Sequence, residues 1–244
     1  MSQLAHTHPR RATEIVDASF RFYRAHFGDL LVVSALLLVP PVLITAIVPQ
    51  SMQVVFQVIG NLMYLVCQGA IAVHVAAALE QDRALSAGET LRALGDRAGS
   101  VIAVAIMSGL LIGLGTLLLV IPGIIAAVWT MVATPVAAIE GRRNSDALGR
   151  SRELARGQFW HVLGTTLLVW AIVIALMIGA AIALGLVFGL FGLPDRITDM
   201  VGELAMVPLF PLIGVAVAML YYDLRVRSEG ADVQAMVEAL PELQ

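Results

Sequence analysis

Long runs of apolar residues, interrupted by short polar segments, dominate the chain. Each run is about as long as the roughly 20 residues that a helix needs to cross a bilayer. The six runs cover residues 30–48, 54–79, 100–120, 122–139, 161–193 and about 200–222. A soluble globular domain has no use for several bilayer-length apolar runs joined by a cluster of arginines. The pattern therefore predicts an all-α polytopic membrane protein with six transmembrane helices.

A short amphipathic segment precedes the first, third and fifth runs. These segments lie near residues 13–27, 87–97 and 144–156. Apolar residues on one face and arginines on the other suit a helix lying in the headgroup plane, although the same pattern also suits a helix packed on its own protein. We expect turns at Gly28 and at Ile121–Pro122–Gly123.

The chain thus reads as three tandem units, each made of an interfacial cytoplasmic helix and a transmembrane hairpin. A flexible cytoplasmic N-terminus is predicted at residues 1–12, a six-helix membrane domain at 13–222 and a cytoplasmic C-terminal tail at 223–244. All three units enter the membrane from the same side. The inverted repeats of many secondary transporters require opposite entry, which counts modestly against that design.

Composition and charge placement support this organisation. Hydrophobic residues make up 59% and charged residues 14% of the chain, against roughly 25% charged residues in soluble domains. All 15 basic residues are arginine. Fourteen lie in segments predicted to be cytoplasmic, and one, Arg196, lies in an outside loop, so the positive-inside rule places both termini in the cytoplasm. Arginine bias together with abundant Ala and Gly indicates a GC-rich bacterial genome and hence the bacterial inner membrane. The formal charge of −3 does not indicate a nucleic-acid partner.

Polar residues form a stripe along the second run. The stripe consists of Gln57, Asn61, Tyr64 and Gln68, and Glu203 lies about one turn inside the sixth run. A polar stripe within a membrane must face protein or water. It is interpreted either as a conduit or ligand-binding face, or as interhelical hydrogen bonding that locks the bundle, and the second interpretation is favoured.

The arginines of the interfacial helices are candidates for contacts with lipid phosphates or with the protein's own tail. They are Arg21, Arg24, Arg142, Arg143, Arg150, Arg152 and Arg156. The acidic partners expected in the tail are Asp223, Glu229 and Asp232. The sequence contains no recognisable catalytic constellation and no metal- or cofactor-binding motif.

Three stretches carry a family resemblance. They are EIVDASFRFYR at residues 14–24, the central IPG…EG…A…RS…L…RGQFW segment, and YDLRVRSEGAD at residues 222–232. Together they resemble the membrane domain of bacterial glycerophosphodiester phosphodiesterases and related stand-alone six-span proteins. Those enzymes carry a separate soluble catalytic domain, for which this chain has no room.

We therefore expect a non-enzymatic scaffold or an accessory subunit of a membrane complex or of lipid organisation. The alternatives, in order, are a channel or transporter using the polar stripe and an intramembrane enzyme. The expected partners are membrane lipids, other membrane subunits or a second copy of the chain.

Overall fold

The computed structural model describes residues 9–191 and 195–239, and every regular element within those ranges is helical. Six of the helical segments are long and apolar enough to cross a membrane. They cover Phe27–Thr45, Gln50–Glu80, Ala87–Leu118, Val120–Glu140, Phe159–Leu190 and Met200–Gly230. The predictions of an all-helical protein and of six membrane-length helices are confirmed. Most of the predicted flexible segment, residues 1–12, lies outside the described residues.

The described residues form the following elements in chain order. They are α1 (Ala12–Ala25), α2 (Phe27–Ile47), α3 (Gln50–Glu80), α4 (Ala87–Leu94), a 3-10 turn (Gly95–Arg97), α5 (Ala98–Leu118), α6 (Val120–Thr130), α7 (Ala133–Pro135), a π turn (Val136–Glu140), α8 (Asn144–Ala155), α9 (Phe159–Phe191), α10 (Asp195–Met206) and α11 (Phe210–Ala239). The last helix continues past Tyr222, so the first part of the predicted tail is helical.

Helix α1 runs alongside α11 rather than across its end. The Arg10 N–H, just before α1, donates to Asp223, whereas the Tyr23 hydroxyl, near the end of α1, donates to the Pro208 carbonyl at 2.6 Å. Asp223 and Pro208 lie about four helical turns apart. The apolar face of α1, including Ile15, is buried against the protein. The buried face corresponds to the alternative in which this amphipathic helix packs on its own protein.

The break between α1 and α2 falls at His26, so the expected turn at Gly28 is wrong. Gly28 lies in the first turn of α2, and the His26 N–H closes α1 by donating to the Phe22 carbonyl at 3.0 Å. The His26 and Phe22 rings are stacked with their centroids 4.1 Å apart. The helix therefore ends two residues before the glycine, at His26, whose φ of −115° and ψ of 22° are not helical.

The turn expected at Ile121–Pro122–Gly123 is also displaced. Helix α5 ends at Leu118, Leu119 is extended, and α6 begins at Val120, so Pro122 and Gly123 lie in the first turn of α6. Proline is tolerated there because its missing N–H would have no helical acceptor. A Cβ atom at Gly123 would lie 2.1 Å from Oγ1 of Thr116, which shows how closely α5 and α6 approach each other.

The predicted fourth transmembrane helix is not continuous. It breaks at Met131–Val132, continues as α7 and the π turn, and ends at Gly141, whose φ of 69° lies in the left-handed region. Arg97 donates from Nη1 to the carbonyls of Ala138 at 2.8 Å and Ile139 at 3.1 Å. These hydrogen bonds satisfy carbonyl groups that the irregular helix end leaves unpaired.

Polar side chains gather at one end of the bundle, which we call the charged end. Glu80, Arg97, Glu140, His161 and Asp223 lie there, each at or near a helix terminus or on α11.

The protein core lies beside the charged end. Fully buried residues of α3, α4, α5, α8 and α11 pack together there, and include Ile71, Val75, Leu94, Val101, Leu154, Tyr221 and Leu224. At the opposite ends of the helices, apolar side chains such as Leu117 and Leu190 are more than 80% exposed. The bundle is therefore tightly packed near the charged end and open away from it.

Candidate functional site

Asp223 is the most buried acidic side chain at the charged end, with 1% of its side chain exposed. Its carboxylate accepts the Arg10 N–H at 2.6 Å, contacts Nε2 of His161 at 2.8 Å and accepts from Nε of Arg227 at 2.7 Å. Arg227 also donates to the Arg10 carbonyl at 2.6 Å and to Oε1 of Gln158 at 3.5 Å. The Asp223 carboxylate therefore joins the N-terminal segment, α9 and α11.

Arg150, on α8, bridges three carboxylates. Its Nη1 lies 3.2 Å from Glu153, its Nη2 lies 3.1 Å from Glu229 and its Nε lies 3.6 Å from Glu140. Burial lowers the pKa of Arg150, but the hydrogen bond with Glu153 and the charges of Glu140, Glu153 and Glu229 outweigh it, so the pKa is raised. The Tyr221 hydroxyl donates to Glu140 at 3.0 Å. This network joins α8, the π turn and α11.

A cationic cleft of about 410 Å³ lies beside α8. It is lined by Trp129, Gly149, Arg152, Glu153 and Arg156, and the Arg152 guanidinium carbon lies 4.3 Å from the centre of the Trp129 ring. Neither arginine forms an ion pair with a described residue. Two guanidinium groups beside an indole can bind a phosphate group, because guanidinium groups match phosphate geometry.

The remaining predicted arginines lie in two other places. Arg21 and Arg24 are exposed on α1, and Arg143 is exposed just before α8. Arg142 is exposed too, but its Nε donates to Glu140 at 2.8 Å. These four side chains therefore do not join the cleft beside α8.

A cavity of about 500 Å³ lies between α2, α3, α9, α10 and α11. Its polar lining residues are Asn61, Tyr64 and Glu203, with Trp170 on α9 forming part of the wall. The other lining residues are Leu38, Val42, Val173, Met177, Met206, Val207, Leu209, Phe210 and Ile213. The structure thus brings two residues of the predicted stripe together with Glu203, although they come from different helices.

Glu203 lies in α10 and not inside a continuous sixth helix. A turn at Val207–Leu209 separates α10 from α11, and this turn lines the cavity. The Glu203 and Asn61 side chains are exposed and form no hydrogen bond or ion pair with a described residue.

The two outer members of the stripe lie elsewhere. Gln57 is exposed and does not line the cavity. Gln68 lies in the contact between α3 and α11, where a methyl group at Gly214 would be 2.6 Å from Oε1 of Gln68. The stripe is therefore divided between an exposed amide, a cavity wall and a helix–helix contact.

Three residues of these sites were not predicted from the sequence. Trp129 and Trp170 look like ordinary apolar residues of their helices, and His161 marks only the start of the fifth run. Their roles follow from contacts with residues far away in sequence, such as the pair of His161 and Asp223. No sequence signal identifies these contacts. Among the described residues, no group of three or more His, Cys, Asp and Glu side chains is placed to hold a metal ion.

No protein-family model, no characterised protein and no solved structure matches the chain. The class of the protein is therefore defined by its architecture, as an all-helical protein with six helices able to cross a membrane.

Proposed function

We propose that the protein is a non-enzymatic membrane scaffold or accessory subunit that organises lipid or a larger membrane complex. The carrying observation is that the cavity containing Asn61 and Glu203 does not continue as an open passage toward the charged end. Beyond Ile213 the adjoining pocket, lined by Thr165 and Thr166, has a volume of only about 20 Å³, and Tyr221, further along α11, is completely buried. A conduit would need continuous open or polar space through this part of the bundle.

The exposed apolar surface supports a role in contacts with lipid or with other membrane helices. Large apolar side chains are exposed along α2, the hairpin of α5 and α6, and α9. Lipid or a partner helix can cover these side chains, whereas water would do so at a large free-energy cost. The cationic cleft at Arg152 and Arg156 adds a polar contact for anionic lipid.

The arrangement in the membrane is part of the proposal. We place the charged end in the cytoplasm of a bacterial cell, at the inner membrane, because the arginines that precede α1, those in and around α4 and α8, and those that follow Tyr222 on α11 then lie on the cytoplasmic side. The six helices would form three tandem hairpins, with α4 and α8 near the cytoplasmic surface and α1 packed beside α11. The resemblance to the membrane domain of glycerophosphodiester phosphodiesterases supports action beside a separate soluble protein.

A flux assay distinguishes the proposed scaffold function from a channel function. Sealed vesicles containing the purified protein should release small ions and dyes no faster than vesicles without protein. A leak that disappears on replacing Asn61 by Leu would overturn the scaffold proposal in favour of a conduit lined by the stripe.

Cysteine labelling tests the orientation. Replacing Cys67 by Ala removes the only cysteine, after which single cysteines can be introduced at the exposed positions Ser51 and Ser145. An impermeant thiol reagent added to intact cells should label Ser51→Cys and spare Ser145→Cys until the membrane is opened. The reverse pattern would refute the proposed orientation.

A further inference from the structure

We infer that the cavity between α2, α3, α9, α10 and α11 binds an amphiphile with a positively charged amine headgroup, the ammonium lying at Glu203 and the hydrocarbon chain in the apolar part. This inference deepens the proposed function, since it names the chemistry of a molecule that the scaffold would hold. It is carried by the cavity's size, by the order of its lining residues and by the unpaired carboxylate at its edge.

The cavity has the size of a ligand site. Its volume of about 500 Å³ falls within the range of roughly 300–1,000 Å³ that is typical of small-molecule pockets. Most of the wall is apolar, with a few polar groups that can orient a ligand. Trp170 is 45% exposed, so the cavity is reachable from the side of the bundle as well as from the end at Glu203.

The polar groups lie at one end of the cavity. On α3, Asn61 is the lining residue farthest from the charged end, and Tyr64 comes one turn closer. In chain order Glu203 comes first, before the turn at Val207–Leu209, and Phe210 and Ile213 follow on α11 toward the charged end. The rings of Tyr64 and Phe210 contact each other, with centroids 5.2 Å apart, at the inner part of the cavity. An amphiphile with its polar group outward and its chain inward matches this order.

Glu203 determines the charge of the ligand. It is the one charged side chain that lines the cavity among the described residues. A carboxylate within a membrane-length segment is costly unless a cation or hydrogen-bond donor faces it, and Glu203 has neither among the described residues. An ammonium group would satisfy it, and the Asn61 carbonyl can accept a second hydrogen bond. A headgroup whose only charge is negative would be repelled.

Two sources could supply this chemistry. One is an amine-bearing phospholipid of the bilayer, and the other is a hydrophobic amine that enters from solution. Trp170 reports on both, because bromine atoms on a lipid chain quench the fluorescence of a nearby indole. Replacing Trp129 and Trp160 by Phe leaves Trp170 as the only fluorescent tryptophan.

The experiment compares chain-brominated phosphatidylethanolamine with chain-brominated phosphatidylglycerol in vesicles containing this variant. Phosphatidylethanolamine should quench Trp170 at a mole fraction roughly tenfold lower, the factor expected for one charge-assisted hydrogen bond. Glu203→Gln should remove the preference, whereas the control Asp17→Asn, at an exposed position of α1, should keep it. If dodecylamine relieves quenching in the parent and not in Glu203→Gln, while the two lipids quench alike, the ligand is a soluble amine.

Equal quenching by the two lipids, with no effect of dodecylamine, would overturn the inference. So would a preference that survives Glu203→Gln. A second variant, Val42→Phe, tests the cavity independently of whether Glu203→Gln folds. It fills the cavity without altering the carboxylate and should weaken quenching by both lipids. The flux assay measures a different property. A leak would refute the scaffold alone, whereas equal quenching without a dodecylamine effect in sealed vesicles would refute the amphiphile site alone.

Discussion

Replacing Asp223 by Ala should destabilise the protein more than any change to an exposed charged residue. The carboxylate is buried and accepts or shares three contacts between 2.6 and 2.8 Å, from Arg10, His161 and Arg227. Removing one partner of a buried ion pair costs about 3–5 kcal/mol. Arg227 and His161 keep 21% and 16% of their side chains exposed, so water can compensate them in part. We therefore expect a loss near the low end, about 3 kcal/mol.

The matched control is Glu229→Gln on the same helix. Glu229 pairs with Arg150 and Arg225 at 3.1 Å each, but 49% of its side chain is exposed. Exposed ion pairs contribute about 0–1 kcal/mol. One kcal/mol shifts the melting temperature of a chain of this size by about 2–4 °C. Asp223→Ala should therefore lower the melting temperature by roughly 6–12 °C, and Glu229→Gln by less than about 4 °C.

The measurement is thermal unfolding of the purified protein in one detergent, followed by tryptophan fluorescence. A double variant, Asp223→Ala with Arg227→Gln, separates the ion pair from simple loss of packing. If the two residues act as a pair, the double variant should be destabilised by clearly less than the sum of the single changes. The reasoning is refuted if Asp223→Ala melts no lower than Glu229→Gln, or if the two single effects add.

Two further predictions concern a helix contact and lipid binding. Gly214→Ala should cost about 2 kcal/mol, because the new methyl group would lie 2.6 Å from an α3 side-chain oxygen. Gly230→Ala, at an exposed position of the same helix, meets no atom within 4 Å and should melt at or above the parent temperature; equal melting of both variants would contradict the contact. Changing Arg152 and Arg156 to Gln should weaken retention of anionic lipid by about 2 kcal/mol in total, as read by native mass spectrometry. Arg150→Gln should retain that lipid and melt at a lower temperature, so lipid loss in both variants would show that the cleft is not selective.

The sequence by itself determined the class of the protein and the number of membrane-length helices. Transfer of a helix into a bilayer depends mainly on the summed hydrophobicity of neighbouring residues, which is visible in any window of about 20 positions. The arginines lie in the polar segments between these apolar runs, so the sequence also showed where the basic residues cluster. Turn positions were less predictable: α1 ends at His26 rather than Gly28, and Pro122 opens α6 rather than forming the turn.

Only the tertiary structure decided how the polar side chains are paired. Asp223 meets Arg10, 213 positions earlier, and Glu203 shares a cavity with Asn61 on a helix that is remote in sequence. The amphipathic pattern of α1 fits a lipid surface and a protein surface equally well, since both offer an apolar face. Its burial against α11 depends on the packing of the whole bundle. Helical periodicity places a side chain on a face of its own helix, whereas the partner of that face is determined by how all the helices pack together.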